Sequence, residues 1–138
     1  MAGHNKVLGG GGFHHIAMRV HDFDASVKFY TEVLGFTVKT TWGNPERRLA
    51  LLDTGDGNYI EISSGGSAEP RPEGVILHYA LRTDNVDAAI ERARAAGAPI
   101  TIEPKDVTFN SVPPTPVRIG FCKGPDGELI EFFKNDLT

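Results

Sequence analysis

One cysteine, Cys122, stands among 138 residues. No internal disulfide framework is open to this chain, and the cytoplasm, a reducing compartment, is its expected setting. Long hydrophobic runs are missing as well. No stretch approaches the roughly 20 apolar residues of a membrane span, and no apolar signal-type segment follows the N-terminus, so no membrane partner is expected. An excess of positive charge is also absent. Fourteen Lys and Arg against 18 Asp and Glu leave a formal charge of −4, which argues against nucleic acid or an anionic surface as the main partner. What remains is ordinary: 40% hydrophobic and 23% charged residues are globular values that count against disorder. Residues 1–12 are polar and glycine-rich, with four glycines running from Gly9, and read as a flexible arm ahead of one domain over about 13–135.

A repeat organises that domain. His15-Ile16-Ala17-Met18-Arg19-Val20 aligns with His78-Tyr79-Ala80-Leu81-Arg82-Thr83, at an offset of 63. The match extends from Asp24-Ala25-Ser26-Val27 to Asp87-Ala88-Ala89-Ile90. Further on, Asp56-Gly57 with Ile60-Glu61 aligns with Asp126-Gly127 and Ile130-Glu131, now at an offset of 70. Seven residues have therefore entered the second copy, and the proline-broken stretch Asn110 to Pro116 is their expected home. One such pair of copies indicates duplicated modules, about 13–64 and 76–135, rather than a solenoid.

Each copy reads as βαβββ. The first predicts a strand over Phe13–Val20 and a helix over Asp24–Leu34, capped by Asp22 or Asp24 and ended by Gly35. Strands near Thr37–Trp42, Arg48–Asp53 and Tyr59–Ser63 follow, with a turn at Gly43-Asn44-Pro45. The second predicts strand Ile76–Thr83, then helix Val86–Ala96 capped by Asp84 or Asn85 and ended by Gly97. Strands near Ile100–Pro104, Val117–Cys122 and Leu129–Phe133 complete it. The fold class is α+β: two tandem βαβββ modules forming a cupped mixed sheet.

Alternation along a strand then sorts the side chains. Ile16, Met18 and Val20 suit the helix side, which sends His15, Ala17 and Arg19 to the opposite face. Likewise His78, Ala80 and Arg82 oppose Leu77, Tyr79 and Leu81. Glu61 opposes Ile60 and Ile62, and Glu131 opposes Ile130 and Phe132. Two histidines and two glutamates thus occupy symmetry-related positions on the face away from the helices. Burying such carboxylates costs several kcal/mol, on the order of what pairing or a metal must offset. Each residue alone has a bland reading as a core or solvated side chain. Their joint recurrence points to a divalent metal: Zn2+ or Ni2+ first, with Fe2+, Mn2+ or Co2+ also suited to two imidazoles and two carboxylates.

These residues carry a family resemblance. His15-Ile16-Ala17-Met18-Arg19-Val20, Phe29-Tyr30, Leu34-Gly35-Phe36, Ile60-Glu61-Ile62, His78-Tyr79-Ala80-Leu81 and Gly124-Pro125-Asp126-Gly127-Glu128-Leu129-Ile130-Glu131-Phe132 together resemble the glyoxalase, or vicinal oxygen chelate, superfamily over about residues 13–135. The resemblance implies a single domain of paired βαβββ modules around a divalent metal. The set His15, Glu61, His78 and Glu131 resembles that of glyoxalase I, a lactoylglutathione lyase. It implies Glu131 as the base that moves a proton next to a metal-chelated hydroxycarbonyl, and Glu61 as the second carboxylate. It also implies Arg19 as a holder of the substrate carboxylate, for which a partner to a buried carboxylate is the other reading. A homodimer is implied too, each site drawing His15 and Glu61 from one subunit and His78 and Glu131 from the other.

Two departures bear on the substrate. Gly65 stands where an asparagine is expected four residues after Glu61, and Asn110 to Val117 is proline-rich where a basic loop is expected. The resemblance therefore implies a small α-hydroxycarbonyl substrate, with glutathione not specified. Two rival readings share the fold: a metal-free small-molecule binding or resistance protein, and an Fe(II) extradiol-type dioxygenase using three ligands.

Other candidates carry less. His4 lies in the arm, His14 is expected on the helix side, and His21 ends the strand. Trp42, Phe109, Phe121 and Phe133 suit an apolar pocket or simply the core. Cys122 has no base partner in sequence. Gly9 to Gly12 lacks the strand-turn-helix setting of a phosphate loop.

Overall fold

A computed structural model describes residues 4–7, 9, 13–69, 74, 76–136 and 138. The chain divides into two compact units, one ending at Ser67 and the next starting at Ala68.

In the first unit, β1 (His15–Arg19) leads into α1 (Phe23–Lys28), which continues as a π-helical turn over Phe29–Val33. Strands β2 (Thr37–Asn44), β3 (Arg47–Asp53) and β4 (Tyr59–Ser63) follow. They form a four-stranded sheet in the order β1-β4-β3-β2, with β1 parallel to β4 and the other pairs antiparallel. The second unit repeats this with β5 (Tyr79–Arg82), α2 (Val86–Ala95), β6 (Ile100–Phe109), β7 (Thr115–Lys123) and β8 (Leu129–Lys134). Its sheet order, β5-β8-β7-β6, has the same parallel and antiparallel pattern. The α+β reading with duplicated βαβββ modules is what the structure shows, as two four-stranded sheets.

Local chemistry explains the elements. Asp22 caps α1 by accepting from Ala25 N at 2.9 Å, and Asn85 caps α2 by accepting from Ala88 N at 3.0 Å. These side chains satisfy amides that the first helical turn leaves without a partner. Gly35 and Gly97 then turn the chain at φ 75° and 85°, a region other residues avoid. The first helix departs from the expected uninterrupted α-helix. Leu34 N reaches back five residues to Phe29 O at 3.4 Å, and Thr31 Oγ1 takes the Val27 carbonyl at 2.8 Å, a side-chain bond that competes with the regular ladder.

Cores lie between helix and sheet. In the first unit, Val20, Tyr30, Ala50, Leu52 and Ile62 are fully buried. In the second, Val86, Ile90 and Ala93 of α2 are buried, as are Cys122 and Ile130. Each large aliphatic side chain there contributes roughly 1.5–3 kcal/mol relative to an exposed one. Gly120 of β7 lies directly under α2, where an added Cβ would stand 2.8 Å from Ile90 Cγ1.

The seven extra residues fall within the β6–β7 hairpin, because Thr37 and Ile100 start equivalent strands 63 apart whereas Asp53 and Lys123 end them 70 apart. They are not confined to Asn110–Pro116: β6 and β7 have 10 and 9 residues, against 8 and 7 in β2 and β3. Strand β6 also runs through Pro104, expected to end it. It is the edge strand and its register shifts between Ile102 and Lys105, a setting in which proline costs no ladder hydrogen bond. Strand β5 starts later than expected, at Tyr79, and Leu77 is exposed rather than packed behind it.

Candidate functional site

Parallel pairing positions both glutamates and His15, while His78 stands one residue ahead of β5. In the first unit β1 and β4 set Ala17 beside Glu61, with His15 two residues earlier, beside Tyr59. In the second, β5 and β8 set Ala80 beside Glu131, and His78 again precedes by two. The same stagger thus recurs in both units. On β1 and β4 alternation holds: Ile60 and Ile62 are buried and Ile16 and Met18 half-buried, while His15, Ala17 and Arg19 are exposed. In the second unit His78 precedes β5 and is exposed along with Leu77, and Glu131 is buried together with Ile130 and Phe132.

The structure brings one pair together. His78 Nε2 lies 3.0 Å from Glu131 Oε2. Glu131 is 8% exposed, and its cross-strand neighbour is Phe121. Phe121 belongs to a buried cluster with Val117 and Ile119, against which Leu129 and Phe133 pack. Burial in that apolar setting pushes the Glu131 carboxyl above its ordinary range, an effect that the neighbouring His78 partly offsets. The His78 ring meets Phe121 edge to face, with centroids 5.4 Å apart.

His15 and Glu61 do not meet. His15 Nδ1 lies 2.9 Å from His14 Nδ1, and Glu61 is half-buried with no ion pair or hydrogen bond among the described residues. His14 is exposed rather than turned to the helix, because it precedes β1 and strand alternation does not govern it. Arg19 is exposed on the His15 side of β1, opposite Ser63 in the pairing.

Among the described residues, no three His, Cys, Asp or Glu side chains form a group that could hold a metal ion. Each unit instead carries one imidazole and one carboxylate in the same relative register. This donor chemistry fits a half-site for a divalent cation, and a cation beside Glu131 would relieve the cost of its buried charge.

The remaining candidates resolve differently. Cys122 is fully buried, and burial with the nearby Glu128 charge pushes its thiol up to about 11, so it stays protonated. Trp42 lines an open cleft of about 650 Å³ together with Phe23, Thr41, Gly43, Asn44, Pro45, Arg48 and Leu49. None of the four proposed ligands borders it. Phe109 stacks on Phe133 with centroids 6.3 Å apart, and Phe121 is core. Of His4 and the glycine arm, Gly10–Gly12 lie outside the described residues, while His4 and His21 are exposed.

One duplicated feature escaped the sequence reading. Arg48 binds both carboxylate oxygens of Asp24 at 2.9 and 2.8 Å, and Arg118 binds both of Asp87 at 2.7 Å. The signal was available, since Asp24 and Asp87 are 63 apart and Arg48 and Arg118 are 70 apart. Each pair ties its helix to its sheet.

Comparison with known proteins agrees with this architecture. The family model of the Glyoxalase/Bleomycin resistance protein/Dioxygenase superfamily matches residues 12–132. The chain is 38% identical to the uncharacterized protein YwbC of Bacillus subtilis, over 87% of this chain and 94% of that one. It is 35% identical to lactoylglutathione lyase of Haemophilus influenzae, over 90% and 93%. Among solved structures, the trypanothione-dependent glyoxalase I of Leishmania major superposes with a TM-score of 0.69 at 28% identity, covering 87% of this chain and 84% of that one. The chain belongs to the glyoxalase/bleomycin resistance/dioxygenase superfamily.

Proposed function

We propose that this protein is a metal-dependent lyase or isomerase of the glyoxalase I kind, acting in the cytoplasm on a small α-hydroxycarbonyl substrate. The observation that carries the reading is the recurrence of one His–Glu stagger in both modules, with Glu131 buried in apolar surroundings against His78. His15 and Glu61 supply one half of the ligand set, His78 and Glu131 the other. A homodimer that draws the halves of each site from different subunits completes the proposal. Zn2+ or Ni2+ are the metals this set favours. When bound, the metal supplies Lewis acidity, which lowers the pKa of the C–H between a carbonyl and its neighbouring hydroxyl.

The rest falls to the side chains. Glu131 accepts the proton from one carbon and returns it to the next, so the substrate isomerises with no oxidant or reductant consumed. Burial suits Glu131 to this role, because a carboxylate whose pKa is raised is the stronger base. Glu61 is the second carboxylate. Arg19, exposed on the same side of β1 as His15, is assigned in this proposal to the substrate carboxylate.

One named relative is a lactoylglutathione lyase and one solved structure is a trypanothione-dependent glyoxalase I, whereas Gly65 and the proline-rich β6–β7 tip depart from the pattern that the family resemblance implies for glutathione. The deciding experiment is an assay of Ni2+- or Zn2+-reconstituted protein with methylglyoxal, with and without glutathione. Isomerisation of the hemithioacetal to lactoylglutathione, or of hydrated methylglyoxal to lactate, supports the proposal. No turnover in either arm, from protein that retains no divalent metal, overturns it in favour of a metal-free binding protein. Oxygen uptake with catechols would favour the dioxygenase instead.

A further inference from the structure

His14 lies one residue ahead of β1 and touches a proposed ligand. Its Nδ1 is 2.9 Å from His15 Nδ1, and the two rings meet edge to face at 5.1 Å. The His14 ring also packs on Tyr59, with centroids 5.0 Å apart, and Tyr59 N donates to the His14 carbonyl at 2.8 Å. Tyr59 is itself the residue opposite His15 in the β1–β4 pairing. Strand β4 therefore holds His14 through ring and backbone, while His14 holds the ring of His15.

Two neutral imidazoles joined Nδ1 to Nδ1 share one proton, with one ring donating and the other accepting. If His15 donates, its Nδ1 carries the hydrogen and its Nε2 keeps a free lone pair. That tautomer binds a cation through Nε2, and metal-bound histidines generally have their second nitrogen held by a protein acceptor in this way. We infer that His14 is a positioning residue, accepting the Nδ1 proton of His15 and so presenting Nε2 to the metal. The inference rests on the metal-dependent reading above. The second module is built otherwise: Leu77 precedes His78, and the contact of His78 is Nε2 to Glu131. In this structure His15 is thus contacted at Nδ1 by a second histidine, and His78 at Nε2 by the carboxylate of its own module.

Nitrogen-15 NMR of histidine-labelled, metal-free protein, at a pH where both rings are neutral, reads the tautomer of His15 without any assay of activity. The expected result is the Nδ1–H form in the wild type and the Nε2–H form in His14→Phe. Titration with Ni2+ against a chromophoric chelator reads affinity. His14→Phe is expected to weaken it by about 10- to 100-fold, and His14→Gln, whose amide oxygen accepts the same proton, to retain most of it. An Nε2–H tautomer of His15 in the wild type, or equal Ni2+ affinity in wild type and His14→Phe, overturns the inference and leaves the metal-dependent reading standing. Absence of Ni2+ binding by the wild type overturns both.

Discussion

Glu131 and His78 meet at 3.0 Å on a sheet face where Phe121 is the cross-strand neighbour of Glu131. A carboxylate in such surroundings is poorly solvated, and a half-exposed imidazole offsets only part of that cost. In a protein without metal this is a local weakness. In one that binds a cation and moves a proton, it is a strong ligand and a strengthened base.

Glu131→Gln separates these roles from folding. The amide is isosteric, so the variant is expected to keep the far-ultraviolet dichroism of the wild type. Its isomerase turnover is expected to fall by about 10²–10⁴-fold, the usual worth of a general base. Steady-state kinetics on metal-loaded protein decides, and unchanged turnover would remove Glu131 from the base role.

The same substitution makes a stability prediction of defined sign. The Glu131 pKa is raised in the folded state, so the stability this group contributes is full below its unfolded value and lost as pH rises through the folded one. Metal-free Glu131→Gln is therefore expected to melt above the metal-free wild type at neutral pH. The gap should close as the pH is lowered below the ordinary glutamate range. Thermal melts across that range test this, and a gap that widens on acidification would contradict it.

Gly120 offers a test of the packing. Ala at this position would place a methyl group 2.8 Å from Ile90 Cγ1 and 3.2 Å from Val86 Cγ1. Overpacking of this kind costs about 1–3 kcal/mol. Urea denaturation of Gly120→Ala is expected to show a loss in that range, and a neutral result would mean that α2 lies further from β7 than described.

Cys122 should be inert. The thiol is fully buried and pushed up to about 11, so a thiol-reactive disulfide reagent is expected to modify it only in denaturant. Rapid modification of the native protein would show the β7 face to be open.

Where order is local, the sequence was legible. Alternation over four or five residues matched the burial of β1, where His15, Ala17 and Arg19 are exposed. Short polar residues before each helix narrowed the caps to Asp22 or Asp24 and to Asp84 or Asn85, of which Asp22 and Asn85 form the hydrogen bonds. What escaped depends on neighbours distant in the chain or on geometry between regular classes. The π-turn at Phe29 differs from an α-turn by one residue of hydrogen-bond reach, which apolar spacing over so short a segment does not resolve. The His14–His15 contact needed the start of β1 to be known to the residue, since two consecutive strand residues would point apart. The pairs of Arg48 with Asp24 and Arg118 with Asp87 span 24 and 31 residues and emerge only once helix lies on sheet.

Metal stoichiometry tests the central claim most directly. Protein stripped of metal and titrated with Ni2+ or Zn2+ is expected to bind one ion per chain, and His15→Ala and His78→Ala are each expected to abolish tight binding while retaining the fold. Failure of the wild type to bind a stoichiometric divalent ion, or undiminished binding by both variants, would contradict it.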